Sequence, residues 1–298
     1  ISPESGRITK LKTMEWDVIY GDIELEVIFD QWQRIDGIDF PMLVKISQGG
    51  APRMEVRRSL VEVNPSIDQD YFNPPPSVVY KHNQAAATRG KFVSQTIRMF
   101  TLAGAARPEL GSIELEPGVD LVYALPVDGV YTMVVEQANG VVVIEPGMND
   151  LKGEEVINWI SKRYPGKPVT HLVTSHHHND HGGGIRPYVA NGATLVVHKT
   201  ATEFYKAQAS RPISRVLMDA LDRNPQSAKI IGVAAGDSYT IEDPTQSVSV
   251  YPVLGGHTED MVVAVIEKQS ILYAGDLYVS GIARDLRSGT KRGPNVLP

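Results

Sequence analysis

Four of the eight histidines fall within six positions, in the run Thr174-Ser175-His176-His177-His178-Asn179-Asp180-His181-Gly182-Gly183-Gly184. Imidazoles packed this closely make a poor core but a good ligand set. In an extended segment, side chains two apart point the same way, so His176 and His178 can share one metal ion. Asp180 and His181 follow the bend and can address a second ion a few ångströms away. The glycines let the backbone turn and approach the site without a Cβ clash. A nitrogen and oxygen donor set without thiolate suits zinc, with manganese or iron(II) as alternatives.

Composition narrows the chemistry further. The chain has 298 residues, 42% hydrophobic and 21% charged, enough to build a core. It contains no cysteine, which removes disulfides, thiol catalysis and iron–sulfur clusters together. The formal net charge of −6 is a poor footprint for nucleic acid or anionic lipid, and no apolar run reaches the roughly 20 residues of a membrane span. The expected partner is a small-molecule substrate; oligomeric state stays open.

The elements that must position these residues form two groups. Residues 1–75 read as an antiparallel meander, with strands at Met14–Tyr20, Ile23–Phe29, Phe40–Ile46 and Met54–Val63 separated by turn sequences. Residues 76–111 read as a linker with a helical segment over Lys91–Ala106, beginning in the proline run after Asn73. Residues 112–298 read as the metal-binding domain. Its strands are Val119–Ala124, Tyr131–Val135, Val141–Ile144 after an Asn139-Gly140 turn, Val169–Val173, Thr194–Val197, Ile230–Val233, Ser247–Val253, Val262–Ile266 and Ile271–Tyr273. Helices are expected from a cap at Asn149 or Asp150 to Arg163, and over Ile185–Ala190, Glu203–Ala209 and Ile213–Leu221. Strands in groups with helices between them imply an α+β protein, its sheets face to face and covered by helices. Limited proteolysis should therefore cut first within residues 73–107 and release a metal-binding fragment starting near Ser112; early cuts inside Val141–Val173 would refute this division.

The run His176-x-His178-x-Asp180-His181 resembles the metal-binding signature of the metallo-β-lactamase superfamily. Gly255-Gly256-His257-Thr258 resembles that family's next ligand turn, and Ala274-Gly275-Asp276 its bridging carboxylate, in the same order. The resemblance runs from about Ser112 to the end and implies an αββα sandwich with the site at one edge of two sheets. It implies His176, His178 and His257 as ligands of a first zinc, and Asp180, His181 and Asp276 as ligands of a second, Asp276 bridging. Two such ions share and acidify one water, so a metal-activated hydroxide serves as nucleophile; Asp180 can orient it. The implied activity is hydrolysis of an ester, lactone, amide, thioester or phosphoester bond. An iron-dependent oxygenase resembling persulfide dioxygenases and a non-catalytic metal-binding module are the alternatives.

Two positions depart from the pattern. Glu145 stands where the family has an aspartate bracing the histidine loop, and it can accept the same hydrogen bonds. No histidine follows His257, although the family supplies one more for its second metal; the expectation is that the natural protein continues past Pro298 and provides it, and that the second site is incomplete without it. Of the other histidines, His177 should face away from the metals, His198 and His171 should be structural, and His82 exposed. Tyr205, Tyr273 and Tyr278 are either core or pocket lining. Trp32–Pro41 resembles the β-rich half-barrel of exported bacterial proteins related to lipoprotein carriers. That resemblance implies a periplasmic or secreted location, with the cytoplasm as the alternative. The chain begins at Ile1, compatible with a removed leader, though ISPESGRITK lacks a signal peptide's apolar stretch.

Overall fold

A computed structural model describes residues 1–73, 107–125 and 130–277. Most of the linker expected over residues 76–111, with His82 and the helix over 91–106, lies outside the described residues, as do Tyr278 and the tail to Pro298; the end of that expected linker is instead strand, which begins at Glu109. The described residues fall into two compact units: 1–17 with 21–73, and 107–277 with Val18–Tyr20.

The first unit is a four-stranded antiparallel meander, β1 (Lys10–Asp17), β2 (Gly21–Ile35), β3 (Ile38–Gln48) and β4 (Ala51–Arg57), in that order. The strands at β2 and β3 run longer than their apolar segments suggest, because Arg34 and Asp39 in the polar ends also pair across the ladder.

The second unit holds two sheets. The larger has seven strands: β5 (Glu109–Glu116), β6 (Val119–Leu125), β7 (Thr132–Glu136), β8 (Val141–Ile144), β9 (Val169–Val173), β10 (Thr194–His198) and β11 (Lys229–Val233), adjacent in chain order. Pairing is antiparallel from β5 to β8 and parallel from β8 to β11. The smaller sheet, β12 (Tyr239–Ile241), β13 (Val248–Pro252), β14 (Val262–Ile266) and β15 (Ile271–Tyr273), is antiparallel throughout.

The central strands are apolar at nearly every position because both faces are covered. Alternate residues part to opposite sides: Val141, Val143, Leu172, Leu195 and Val197 pack against helices. Val142, Ile144, Val173 and Val196 pack against Val248, Val250 and Val262 of the smaller sheet. Each buried valine or leucine removes about 1.5–3 kcal/mol worth of apolar surface from water, so this double core rests on the sheets. The sheet sandwich is the expected one, with a helical layer on the larger sheet. The outer face of the smaller sheet carries the exposed Tyr251 and Leu272.

Helix α1 (Asp150–Arg163) starts where expected: the Asn149 side chain accepts from the Lys152 N–H. α2 (Asn179–Gly182), α3 (Arg186–Ala190) and α4 (Thr202–Ala209) follow. The helix expected over Ile213–Leu221 is not formed; only α5 (Ala220–Arg223) is helical there. A buried ion cluster overrides the periodicity. Asp219 caps α5 in a capping box with Asp222 while its carboxylate binds Arg186 and Arg211, and Asp222 also accepts from the Ser214 N–H. Segment 211–219 is thereby held in an irregular path that bends at Arg215–Val216. The Asn139-Gly140 turn does join β7 and β8, yet Gly140 lacks the positive φ of a tight two-residue hairpin. Glycine is required for closeness instead: a Cβ would lie 2.4 Å from Thr170 Cγ2.

Candidate metal centre

The carboxyl ends of three parallel strands meet at one edge of the second unit. β8 leads into Glu145, β9 into Thr174–His181, and β10 into His198–Thr200. The smaller sheet contributes the β13–β14 connection, which carries His257, and the residues after β15, which carry Asp276. Parallel strands present their carboxyl ends, and so their following loops, on the same side; sites in parallel sheets gather there.

Three imidazoles converge. His176 Nε2 lies 3.0 Å from His178 Nδ1, and His257 Nε2 lies 3.2 Å and 3.0 Å from those two nitrogens. A point about 2.0–2.1 Å from all three, the usual zinc–nitrogen distance, lies just off their plane. A second group, His176, His181 and Asp276, places one donor atom from each within 4.8 Å of the others. Asp276 spans the two groups, with Oδ2 3.2 Å from His257 Nε2 and Oδ1 3.4 Å from His181 Nε2. Asp180 reaches the same imidazole, Oδ2 3.7 Å from His181 Nε2.

Supporting contacts fix the rings. Glu145, fully buried and at φ 68°, accepts from the Ser175 N–H at 2.9 Å and lies 3.2 Å from His181 Nδ1. With Nδ1 turned to a carboxylate, Nε2 of His181 offers its lone pair toward Asp276; this nitrogen is buried without a hydrogen-bond partner. His176 Nδ1 sits 2.9 Å from Ser175 Oγ, leaving Nε2 to the first group. Behind the loop, buried Tyr205 donates to the His176 carbonyl at 2.7 Å and Gln208 to the Gly182 carbonyl at 2.9 Å. The loop lies so close to residues 147–149 that a Cβ on Gly183 would be 2.1 Å from the Met148 carbonyl oxygen.

Electrostatics divide the imidazoles. Burial, then the neighbouring histidines, pushes His176 down to about 2, which keeps its lone pair available. Burial, then His177, also lowers His178. At His181 burial pulls downward, but Glu145, Asp276 and Asp180 outweigh it and raise the imidazole to about 10. Carboxylates crowding one imidazole make a pocket for positive charge, whether a proton or a divalent cation supplies it. The donors present therefore fit zinc: imidazole nitrogens at matched spacing, a carboxylate between two groups, and a buried imidazole nitrogen that makes no hydrogen bond.

Five of the six residues expected as ligands fall in these two groups; Asp180 is in neither, standing beside His181, and His176 takes the place expected of Asp180 in the second. His177 turns away, its Nδ1 2.8 Å from Asp260 Oδ1. His198 caps a 3-10 turn by accepting from the Thr200 N–H, and half-buried His171 lies on the central strand β9. Tyr205 is buried behind the loop, and the Tyr273 hydroxyl donates to the Tyr131 carbonyl. Sequence reasoning missed Asp260, Gln208 and the role of Ser175. The adjacent acids Glu259 and Asp260 gave no sign of which turns inward, and a glutamine on a helix carries no signal of its own.

Comparison with known proteins finds relatives in one family. The family profile described as Metallo-beta-lactamase superfamily matches residues 125–292. A curated relative, "Metallo-beta-lactamase type 2" of Elizabethkingia meningoseptica, is 28% identical over 149 residues, covering 50% of this chain and 52% of that protein. The chain thus spans about half the length of the curated relative it matches. Among solved structures, a metallo-beta-lactamase from Pontibacter korlensis is 23% identical, covering 60% of this chain and 75% of that one with a TM-score of 0.45. A metallo beta lactamase from Hirschia baltica is 18% identical, covering 55% and 70% with a TM-score of 0.41.

Proposed function

The chain belongs to the metallo-β-lactamase superfamily, and from that premise we propose that it is a metal-dependent hydrolase of a small-molecule ester, lactone, amide or phosphoester-type bond. The observation that carries this reading is the convergence of three imidazole nitrogens at 3.0–3.2 Å beside a carboxylate that spans to His181. His176, His178 and His257 would hold one zinc ion and His181, Asp276 and Asp180 a second. Zinc bound there lowers the pKa of a coordinated water toward neutrality and polarises the oxygen of the scissile group.

The protein's own residues do the rest. Glu145, facing His181 Nδ1 with a carboxylate, selects the tautomer that turns the Nε2 lone pair inward, and Ser175 beside His176 Nδ1 steadies that ring. Asp180, partly exposed, accepts the attacking water's hydrogen bond and takes up its proton. The cleft beside His178 and His257, about 550 Å³, admits the substrate.

Zinc should bind in two steps, the first tighter. The three imidazole nitrogens already stand near tetrahedral spacing, whereas the second set is looser, at 3.4–3.7 Å around His181. Titration against a chromophoric chelator, alongside turnover of chromogenic lactam, lactone, phosphodiester and sulfate esters, tests both statements. Turnover abolished by chelation and restored by zinc supports the proposal. A zinc-loaded chain inert toward the whole panel, or one active only with iron and oxygen, refutes it.

A further inference from the structure

His177 stands between two ligand residues and takes no part in either metal-binding group. It lines the cleft beside His178 and His257, together with Phe204 and Thr200. Its side chain is 44% exposed, whereas the Asp260 side chain that holds it is only 8% exposed. Asp260 grips it twice, accepting the backbone N–H on Oδ2 at 2.9 Å and facing ring Nδ1 with Oδ1 at 2.8 Å. The ring packs edge-on against Phe204, centroids 5.5 Å apart, and His178, 5.1 Å apart. An ionised carboxylate only accepts, so the Nδ1 facing it must carry the proton. In the neutral ring Nε2 is then an acceptor, and this nitrogen has no protein partner among the described residues.

We propose that His177 is a specificity-determining residue: Asp260 presents its Nε2 to the cleft as a hydrogen-bond acceptor for a substrate N–H or O–H donor next to the bond cleaved. The proposal rests on the metal centre proposed above and adds a substrate class, molecules with an amide N–H or hydroxyl close to the scissile carbonyl. An acceptor held by a buried carboxylate and an aromatic edge is pre-oriented, so little ordering cost offsets the bond. A site built to bond an N–H discriminates against the analogue that lacks it, because the acceptor loses its water without replacement.

Two hydroxamates test this without requiring turnover. N-Acetylglycine hydroxamate and 4-oxopentanoic hydroxamate share a metal-binding head and differ by N–H against CH₂ at one position. Calorimetry on the zinc-loaded full chain should show the amide bound roughly three- to tenfold more tightly, the range of one net hydrogen bond. His177→Ala should remove that preference with zinc affinity nearly unchanged, since the backbone N–H still reaches Asp260. His177→Gln should restore part of the preference through its amide oxygen. Asp260→Asn should also remove it, because an asparagine N–H facing Nδ1 moves the ring proton to Nε2 and turns the acceptor into a donor. Equal binding of the two hydroxamates by the parent, or a preference that survives in His177→Ala, overturns the proposal. A purely structural clamp would weaken zinc binding in His177→Ala and leave the preference between the two unchanged. Failure of zinc to bind the parent is a separate result that removes the metal centre itself.

Discussion

Replacing His178 by alanine is expected to cut the affinity for the first zinc by roughly two orders of magnitude or more. A zinc site worth about 10–16 kcal/mol, shared over four ligands, assigns each about 3 kcal/mol. Hydrolysis at a fixed low zinc concentration should fall at least in proportion. The metal-free fold should hardly change. His178 is only half-buried and belongs to neither apolar cluster of the sandwich; its Nδ1 faces the other two imidazoles. Melting with and without zinc separates the two effects: the metal-free midpoint stays within a few degrees of the parent, and the upward shift on adding zinc largely disappears. Unchanged zinc affinity in this variant would remove His178 from the ligand set, and the same measurement on His257→Ala examines the ligand contributed by the smaller sheet.

That site is legible in the sequence because its chemistry is concentrated in one short run. Four histidines, an acid and three glycines at the end of an apolar strand leave few other uses. The strands were legible for a related reason: β8, β9, β14 and β15 are short apolar runs whose ends coincide with turn or site residues. Asp260 was not legible, since its value comes from a contact 83 residues away with His177. The false helix over Ile213–Leu221 shows the same limit. Its periodicity is local, whereas the carboxylates that keep the segment out of a helix bind Arg186, more than 30 residues earlier. β5 and β12 are not legible, because their exposed or mixed residues carry little apolar signal; pairing to β6 and β13 makes them strands.

Asp219→Asn should cost about 3 kcal/mol of stability at neutral pH, a fall in melting temperature of roughly 6–12 °C for a domain of this size. Arg186 and Arg211 are both almost wholly buried, and Asp219 is the residue they share: Oδ2 lies 2.5 Å from Arg186 Nε and 2.9 Å from Arg211 Nη2. Asp222 holds Arg186 at 2.6 Å, and Asp150 holds Arg211 at 2.7 Å. Two guanidiniums thus face three carboxyls, and burial pushes the Asp150 carboxyl well up, toward the neutral form that balances the cluster. Burial alone would raise Asp219 too, but the hydrogen bonds from Arg186, the Asp222 backbone and Arg211 prevail and hold it down at about 2. A carboxyl depressed in the folded state adds stability above its unfolded pKa of about 3.9 and loses it as pH falls toward 2. The gap between parent and variant should therefore be full at pH 7 and shrink between about pH 4 and pH 2. Denaturant melts across that range measure it. A gap independent of pH would assign the loss to packing rather than charge. The consequence would reach the metal centre, because Arg186 also binds the Gln208 and Ala209 carbonyls, and Gln208 holds the glycine turn that follows His181. Loosening this cluster should weaken zinc binding in step with stability, whereas His178→Ala weakens zinc binding alone.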